Sequence, residues 1–293
     1  MRRTRDLRII DPVAAETVAA LARQAGRHET PCGAGQMVWH VWGAGPPLLL
    51  CHGGSGSWTH WFHTIPALAA RYQVFVPDLP GLGDSAMPDA PLTPHHSAEI
   101  VVAGFRRLVG AEAKVQVAGF SYGGQVATLA GALLAGQLTG LTLIGVAALG
   151  LFRMERATMA RLHAGMTQDE VIAAHRHNLA VLMFADAARI DPLALYIQAE
   201  NVRRGRFESR PFATTDAIRR TLPAIRAPLT SIYGEKDIVA APSLPARFEV
   251  MREHHPELQT RTIPGSGHWV MYEAADAFNA ALLELLAGTT GSA

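Results

Sequence analysis

The stretch Val-Gln-Val-Ala-Gly-Phe-Ser-Tyr-Gly-Gly, residues 115–124, constrains the fold of this chain more than any other. A β-prone run leads into it, and a helix-prone segment, Gln125 to Leu134, follows it. In the order strand, G-x-S-x-G, helix, the serine stands at the apex of a sharp turn, and Gly119 and Gly123 let the two elements approach. The helix N-terminus directs free N–H groups at negative charge that forms there. The pattern predicts that Ser121 is a catalytic nucleophile rather than part of an ordinary glycine-rich turn.

Two later loops carry the partners that a serine nucleophile requires. A hydroxyl needs a base to take its proton, and the base needs a third group that fixes its tautomer. His268 follows the last predicted strand, and Asp237 follows the strand before it. Both loops lie at the carboxyl ends of strands, on the same edge as Ser121. We therefore assign His268 as the base and Asp237 as its orienting carboxylate, with Glu235, nearer the end of the strand, as the alternative acid.

A glycine-rich loop, His52-Gly53-Gly54-Ser55-Gly56-Ser57, follows a strand predicted to be buried on both faces. The carboxyl end of such a strand is where an α/β sheet builds its ligand site. We expect the backbone N–H of Gly54 to be one donor of an oxyanion hole and the N–H of Tyr122 to be the other. His52 is expected to orient the loop. The loop lacks the glycine and lysine spacing of a phosphate-binding loop.

Strand and helix patterns alternate along most of the chain. This alternation predicts an α/β fold with a mainly parallel sheet covered by helices on both faces. A helix predicted from Val13 to Arg27 precedes the first strand pattern. The interval between the strand patterns at Leu141 to Val146 and Leu229 to Tyr233 is longer than a simple crossover requires. Helices are predicted in this interval at Arg153 to Ala164, Gln168 to Met183, Pro192 to Arg204 and Thr215 to Leu222.

We interpret this interval as a helical lid inserted over the site. A lid of this kind would exclude water and shape substrate choice. The predicted organisation is a helical N-terminal extension over 1–28, a core over 29–146 and 228–288, and the lid over 147–227.

The composition of the chain indicates which kinds of molecule it binds and where it is located. The net charge of +1 provides no electrostatic case for binding nucleic acid or an anionic membrane. Cys32 and Cys51 form no disulfide framework, so a reducing cytoplasm is the expected location. The chain shows no signal-peptide pattern, and no apolar run approaches the roughly 18 residues of a membrane span. We expect a soluble protein that acts on a small molecule, and the sequence does not indicate its oligomeric state.

Pairs of histidines invite a metal-binding interpretation. They are His95-His96, His175-x-His177 and His254-His255. No carboxylate or cysteine completes a ligand set at useful spacing, so no metal site is predicted. Asp78 and Asp84 lie beside glycine and proline and are expected to organise a turn.

Several ordered motifs together resemble those of the α/β-hydrolase superfamily. They are Cys51-His52-Gly53-Gly54, Asp78-x-Pro80-Gly81-x-Gly83-x-Ser85, Gly119-Phe120-Ser121-Tyr122-Gly123-Gly124, Gly234-x-x-Asp237 and Gly267-His268. The resemblance implies an eight-stranded, mostly parallel sheet, an acyl-enzyme mechanism and no cofactor. The elbow residue is serine, whereas the epoxide-hydrolase and haloalkane-dehalogenase branches use aspartate.

The choice of subfamily depends on residues around these motifs. With Trp269 directly after His268, the chain is similar to the meta-cleavage-product hydrolases, which break carbon–carbon bonds. Those enzymes typically carry Asn just before the nucleophilic serine, where this chain has Phe120. The lid arginines are Arg203, Arg204, Arg206 and Arg210, and they are interpreted either as a solvated helix end or as including a clamp for a substrate carboxylate. We place Ser55, Trp269 and Arg203 in the substrate pocket.

We favour a carboxylic-ester hydrolase that acts on a small, largely apolar substrate. A carbon–carbon bond hydrolase is the first alternative, and a ligand-binding protein of the same fold without catalysis is the second. A haloperoxidase without a cofactor or an acyltransferase would share the same three residues.

Overall fold

A computed structural model describes residues 7–89, 91–151 and 158–289 of the chain. Within these residues the strands are β1 (Gly26–Cys32), β2 (Gly35–Trp42), β3 (Pro47–Cys51), β4 (Gln73–Pro77), β5 (Val115–Phe120), β6 (Leu138–Ile144), β7 (Leu229–Gly234) and β8 (Gln259–Ile263). They form one sheet in the order β1-β2-β4-β3-β5-β6-β7-β8. The pairs β1–β2 and β2–β4 are antiparallel and the others are parallel. The expected eight-stranded, mostly parallel sheet is confirmed.

Helices connect most of the strands. In the described residues they are α1 (Pro12–Ala22), α2 (Ile65–Ala69), α3 (Pro94–Val109), α4 (Tyr122–Leu134), α5 (Gln168–Leu182), α6 (Pro192–Arg204), α7 (Ala217–Thr221), α8 (Leu244–Arg252), α9 (Val270–Glu273) and α10 (Ala275–Thr289). Short 3-10 turns lie at Trp58–Trp61, Ala135–Gln137, Ala187–Arg189, Arg210–Thr214, Leu222–Ala224 and Ile238–Ala240. None of the described helices is both long enough and apolar enough to cross a membrane.

Two hydrophobic cores hold helices against opposite faces of the sheet. Successive side chains of a strand point to opposite faces, so Leu48 and Leu50 lie in one core while Leu49 lies in the other. The first core includes Leu282 of α10, and the second includes Val126 of α4. Coverage on both faces explains why the central strand β3 is apolar throughout.

The N-terminal helix is shorter than the sequence predicts. Asp11 caps it, accepting a hydrogen bond from the N–H of Ala14 at 2.9 Å. The helix ends at Ala22 instead of Arg27, and β1 follows from Gly26. This edge strand was missed because only two of its side chains are buried, so it lacks the apolar pattern of a central strand.

Helices α5, α6 and α7 occupy the long interval between β6 and β7. The predictions for α5 and α6 match the observed bounds closely. The predicted helix Arg153 to Ala164 lies partly outside the described residues, which exclude 152–157, and residues 158–164 are not helical. The role of this interval as a lid stays a prediction.

Two glycines allow α4 to approach the sheet closely. A Cβ atom at Gly123 would lie 2.3 Å from the carbonyl oxygen of Cys51 and 2.4 Å from that of His52. A Cβ atom at Gly119 would lie 2.4 Å from the carbonyl oxygen of Gly123. Backbone carbonyls cannot rotate out of the way as a flexible side chain can, so these positions require glycine for space.

We therefore expect Gly123→Ala to lower the free energy of unfolding by about 2–3 kcal/mol, because the added methyl group forces α4 away from the sheet. Gly136 is the matched control, since no atom lies within 4 Å of a Cβ placed there. Gly136→Ala should change the free energy of unfolding by no more than about 0.5 kcal/mol. Urea denaturation of both variants measures the difference. Equal stability of the two variants would contradict the steric argument.

Candidate active site

Ser121 lies at the turn between β5 and α4, with φ of 53° and ψ of −118°. A non-glycine residue in the left-handed region costs about 1–3 kcal/mol unless its surroundings hold it. Its backbone N–H donates to the carbonyl oxygen of Ile144 in β6 at 2.9 Å. This bond and the close packing of α4 hold the turn, and Ser121 lines a cavity above it.

His268 and Asp237 lie beside Ser121, each on the loop after its strand. The Nε2 atom of His268 is 3.0 Å from the Oγ of Ser121. Its Nδ1 atom is 3.0 Å from both carboxylate oxygens of Asp237. A carboxylate only accepts hydrogen bonds, so the ring proton is on Nδ1 and Nε2 is free to accept from the serine hydroxyl. His268 is 3% and Asp237 6% exposed, so bulk water competes little for these bonds.

Gly145, at the end of β6, leaves space for this pair. A Cβ atom there would lie 3.1 Å from Oδ2 of Asp237 and 3.1 Å from Nδ1 of His268. Asp237 also accepts a hydrogen bond from the N–H of Val239 at 2.7 Å. The sequence does not show that glycine is needed at this strand end. The need arises from two side chains, Asp237 and His268, that lie on the loops after other strands.

Glu235, the alternative acid, has a different role. Its carboxylate is exposed and accepts a hydrogen bond from the N–H of Gly265 at 2.8 Å. The structure thus brings Asp237, and not Glu235, into contact with His268.

Two buried histidines support the glycine-rich loop. The Nδ1–H of His52 donates to the carbonyl oxygen of Gly53 at 2.8 Å, and its Nε2 accepts from the N–H of Leu79 at 2.9 Å. This confirms the prediction that His52 orients the loop. His60, which the sequence analysis did not single out, accepts at Nδ1 from the N–H of Gly53 at 3.2 Å. Burial lowers the pKa of His52 and holds the pKa of His60 well below its ordinary value.

Gly54 and Tyr122 line the cavity beside Ser121. The N–H of Gly53 donates to His60, so it is not free to serve as an oxyanion donor. Tyr122 is the first residue of α4, and the first N–H groups of a helix have no intrahelical partner. The assignment of the Gly54 and Tyr122 N–H groups as oxyanion donors stays a prediction. The position of both residues beside Ser121 agrees with it.

The cavity above Ser121 has a volume of about 1010 Å³. Its walls come from the glycine-rich loop, the start of α4, and helices α5 and α6. Ser55 and Arg203, both predicted pocket residues, line it. Trp269 does not. Its ring is fully buried, and its Nε1–H donates to the carbonyl oxygen of His60 at 2.9 Å, so it lies in the core behind the loop.

The lid arginines all have partners. Arg203 binds Glu200 through two hydrogen bonds, of 3.0 Å from Nε and 2.6 Å from Nη2. Arg210 binds Glu208 in the same way, at 2.8 and 2.7 Å. Arg204 pairs with Asp84, and Arg206 donates to the carbonyl oxygens of Gly83 and Ser85. The solvated-helix interpretation is therefore incomplete, because these side chains tie the segment to itself and to the turn at 83–85.

Buried polar side chains connect the segment between β6 and β7 to the site. The carboxylate of Glu273 accepts from the N–H of Gly267 at 2.6 Å, next to His268, and from the N–H groups of Ala185 and Asp186 at 3.0 and 2.8 Å. The amide oxygen of Asn201 in α6 accepts from the hydroxyl of Ser57 at 2.7 Å. Neither residue was recognised from the sequence, since each acts through partners far away along the chain.

The histidine pairs do not assemble with other ligands. His175 is buried, whereas His177 on the same helix is exposed, with Nε2 2.9 Å from the carbonyl oxygen of Thr158. Within the described ranges, no group of three or more His, Cys, Asp or Glu residues could hold a metal ion. Asp78 accepts from the N–H groups of Trp58 and Asp84, both at 2.9 Å, as expected of a residue that organises a turn.

Known proteins resemble this chain in sequence and in fold. A family model described as "Alpha/beta hydrolase family" matches residues 48–281. The dihydrolipoyllysine-residue acetyltransferase component of the acetoin cleaving system of Pseudomonas putida is 30% identical over 253 residues, which is 83% of this chain. The chain spans 64% of the length of that relative.

A second relative matches along most of its length. The 2-hydroxy-6-oxo-6-phenylhexa-2,4-dienoate hydrolase of Burkholderia cepacia is 28% identical over 271 residues, covering 84% of this chain and 89% of that protein. Among solved structures, a membrane phospholipase A described as a bacterial virulence factor has a TM-score of 0.72 at 24% identity, covering 96% of this chain and 93% of that one. At this identity the likeness shows the fold.

The two buried histidines that support the glycine-rich loop, His52 and His60, predict that the folded state loses stability in acid. His52 and His60 stay neutral in the folded state, whereas in the unfolded chain a histidine takes up a proton below about pH 6.5. Below that pH the unfolded state binds more protons, so the free energy of unfolding should fall by about 1.4 kcal/mol per pH unit for each histidine. The loss ends only when the pH reaches the lowered pKa of the folded state.

Urea denaturation between pH 7.5 and pH 5 measures this slope. His60→Asn should reduce it by about 1.4 kcal/mol per pH unit, because one of the buried rings is removed. His254→Asn, at an exposed position, is the control and should leave the slope as it is. A slope that is identical in wild type and His60→Asn would show that His60 is not kept neutral by folding.

Proposed function

Because the chain belongs to the alpha/beta hydrolase family, we propose that it hydrolyses an uncharged carboxylic ester through an acyl-enzyme intermediate. The observation that supports this most directly is the hydrogen-bonded series of Asp237, His268 and Ser121, which opens onto the cavity. A base in contact with a serine hydroxyl, with a carboxylate behind the base, is the set of groups that acyl transfer by serine requires.

The proposed reaction has two halves. In the first, the Oγ of Ser121 attacks the ester carbon while His268 Nε2 takes the hydroxyl proton, and Asp237 stabilises the imidazolium that forms. The N–H groups of Gly54 and Tyr122 would stabilise the negative charge on the carbonyl oxygen. His268 then gives its proton to the departing alcohol. In the second half, water attacks the acyl group, His268 takes the water proton and returns it to Ser121, and the acid leaves.

The charges around the cavity favour a neutral substrate. Arg203, which the sequence offered as a carboxylate clamp, already binds Glu200 in a bidentate pair whose side chains are 28% and 14% exposed. A substrate carboxylate would have to displace Glu200 and leave its charge poorly solvated. Arg161 also borders the cavity, but it is exposed, and an exposed ion pair contributes about 1 kcal/mol or less. The Burkholderia relative is named for a dienoate, which carries a carboxylate.

The roles of Ser121 and His268 can be tested on p-nitrophenyl esters. Ser121→Ala and His268→Ala should each lower kcat by several orders of magnitude, about 10⁴-fold or more, because both residues serve one proton transfer. The double variant should be little worse than either single one. A serine-reactive fluorophosphonate should label wild type but not Ser121→Ala. Multiplicative losses in the double variant, or labelling that survives in Ser121→Ala, would contradict the assignment.

The acid has a matched control in the same loop. Asp237→Asn should keep the fold and lose much of kcat, because the amide no longer holds the Nδ1–H tautomer of His268. Glu235→Gln removes a charge two residues away and should be nearly silent. The reverse ranking would transfer the role of the acid to Glu235.

The preference for neutral substrates has its own test. Wild type should hydrolyse p-nitrophenyl butyrate with a higher kcat/KM than the mono-p-nitrophenyl ester of succinic acid, which carries a carboxylate of similar size. Glu200→Gln should raise the relative kcat/KM for the acidic ester about tenfold, since it frees Arg203 for a charge-assisted hydrogen bond.

Glu253→Gln is the control, because it breaks a bidentate pair with Arg219 away from the cavity lining. It should leave the ratio unchanged. Equal use of both esters by wild type would contradict a neutral cavity. Faster cleavage of a phenyl-substituted oxo-dienoate than of any ester would replace the ester proposal by the carbon–carbon alternative.

A further inference from the structure

His175 lies on α5 and lines the cavity, with 1% of its surface exposed. Neither of its ring nitrogens has a hydrogen-bond partner in the described part of the chain. Buried polar groups are normally paired, and leaving one unpaired costs about 1–3 kcal/mol. The fold therefore contains a buried imidazole whose hydrogen-bonding capacity is unused and which borders the cavity above Ser121.

The neighbouring side chains of α5 show that this position does not need a polar residue for structure. Val171 and Leu179 are apolar and fully packed in the core. Asn178 also lines the cavity, but both ends of its amide are paired with the backbone of Ala160, at 2.7 and 3.0 Å. Asn178 thus has a structural role, whereas the ring of His175 borders the cavity and makes no hydrogen bond to any described residue.

A second buried polar side chain, that of Gln125, also borders the cavity. Gln125, in the first turns of α4, lines the same cavity and is 1% exposed, and its Oε1 has no hydrogen-bond partner in the part of the chain that the structure describes. The two side chains come from different walls, one from the interval between β6 and β7 and one from the helix that begins after Ser121. The cavity of about 1010 Å³ is at the upper end of the size that holds a drug-sized molecule, so it extends well beyond a reacting ester group.

The chemistry of the two groups indicates what they would bind. Burial lowers the pKa of His175 to about 4, so the ring is neutral near pH 7 and offers one N–H donor and one acceptor. The free oxygen of Gln125 is an acceptor. A hydroxyl group both donates and accepts without carrying a charge, and it therefore suits a neutral imidazole that offers one donor and one acceptor.

We propose that His175 forms a recognition subsite for a hydroxyl group on the part of the substrate that is remote from the scissile bond, and that Gln125 offers a further acceptor in the same cavity. This proposal rests on the proposed ester hydrolysis, because it assigns the substrate class of the same cavity. His175 would bind the substrate and take no part in the proton transfers of Ser121.

The test uses p-nitrophenyl esters from butyrate to decanoate, each with and without a terminal hydroxyl group. At one chain length or more, wild type should prefer the hydroxylated ester. His175→Leu should lower the ratio of kcat/KM for that ester to kcat/KM for the unsubstituted ester about tenfold. His254→Leu, at an exposed position, should change neither value.

Stability provides a readout that separates binding from structure. His175→Leu should be at least as stable as wild type in urea denaturation, since it removes an unpaired buried polar group. A large loss of stability would show that His175 is structural and would overturn the subsite. The same conclusion would follow from the absence of any hydroxyl preference in wild type, or from a preference that survives in His175→Leu.

The two proposals fail in different ways. If no ester is hydrolysed, the proposed function is wrong. The subsite can then be tested separately, by calorimetric measurement of the binding of the matching methyl esters to Ser121→Ala and to the double variant that also carries His175→Leu. Tighter binding of the hydroxylated ester that His175→Leu removes would support the subsite. Equal binding of both esters would overturn it.

Discussion

The close approach of α4 to the end of β3 is the constraint on which the site depends. With no side chain at Gly123, the first turn of the helix rests on the carbonyl groups of Cys51 and His52. This contact places the start of α4 beside the glycine-rich loop. The strained backbone of Ser121 persists because the close packing of α4 and the hydrogen bond from the Ser121 N–H to Ile144 hold it.

Buried polar ties extend this arrangement outwards. Glu273 holds the loop that carries His268 to residues 185–186, and Asn201 holds α6 to Ser57. Because these bonds are shielded from water, breaking one would leave a buried group unpaired at a cost of about 1–3 kcal/mol. The segment between β6 and β7 is thus positioned by the same residues that position the site, and a change in one should be transmitted to the other.

The histidines illustrate how burial assigns different tasks to one residue type. His52 and His60 are neutral supports whose ring nitrogens bind backbone groups of the loop. His268 has a carboxylate on one side and a hydroxyl on the other, so its ring can carry a proton in transit. His175 is buried and neutral, and neither of its ring nitrogens has a partner among the described residues.

The sequence by itself determined the features that depend on local patterns. Alternating strand and helix patterns predicted the sheet, and the loops after three strands identified Ser121, Asp237 and His268, because parallel strands bring their carboxyl ends to one edge. Tertiary structure alone decided the rest. Edge strand β1 carries too few buried residues to show a pattern, and Trp269 follows His268 in sequence yet points into the core. Whether the buried ring nitrogens of His175 have partners in the described part of the chain depends on the side chains that tertiary packing brings near α5, and local sequence patterns do not show these.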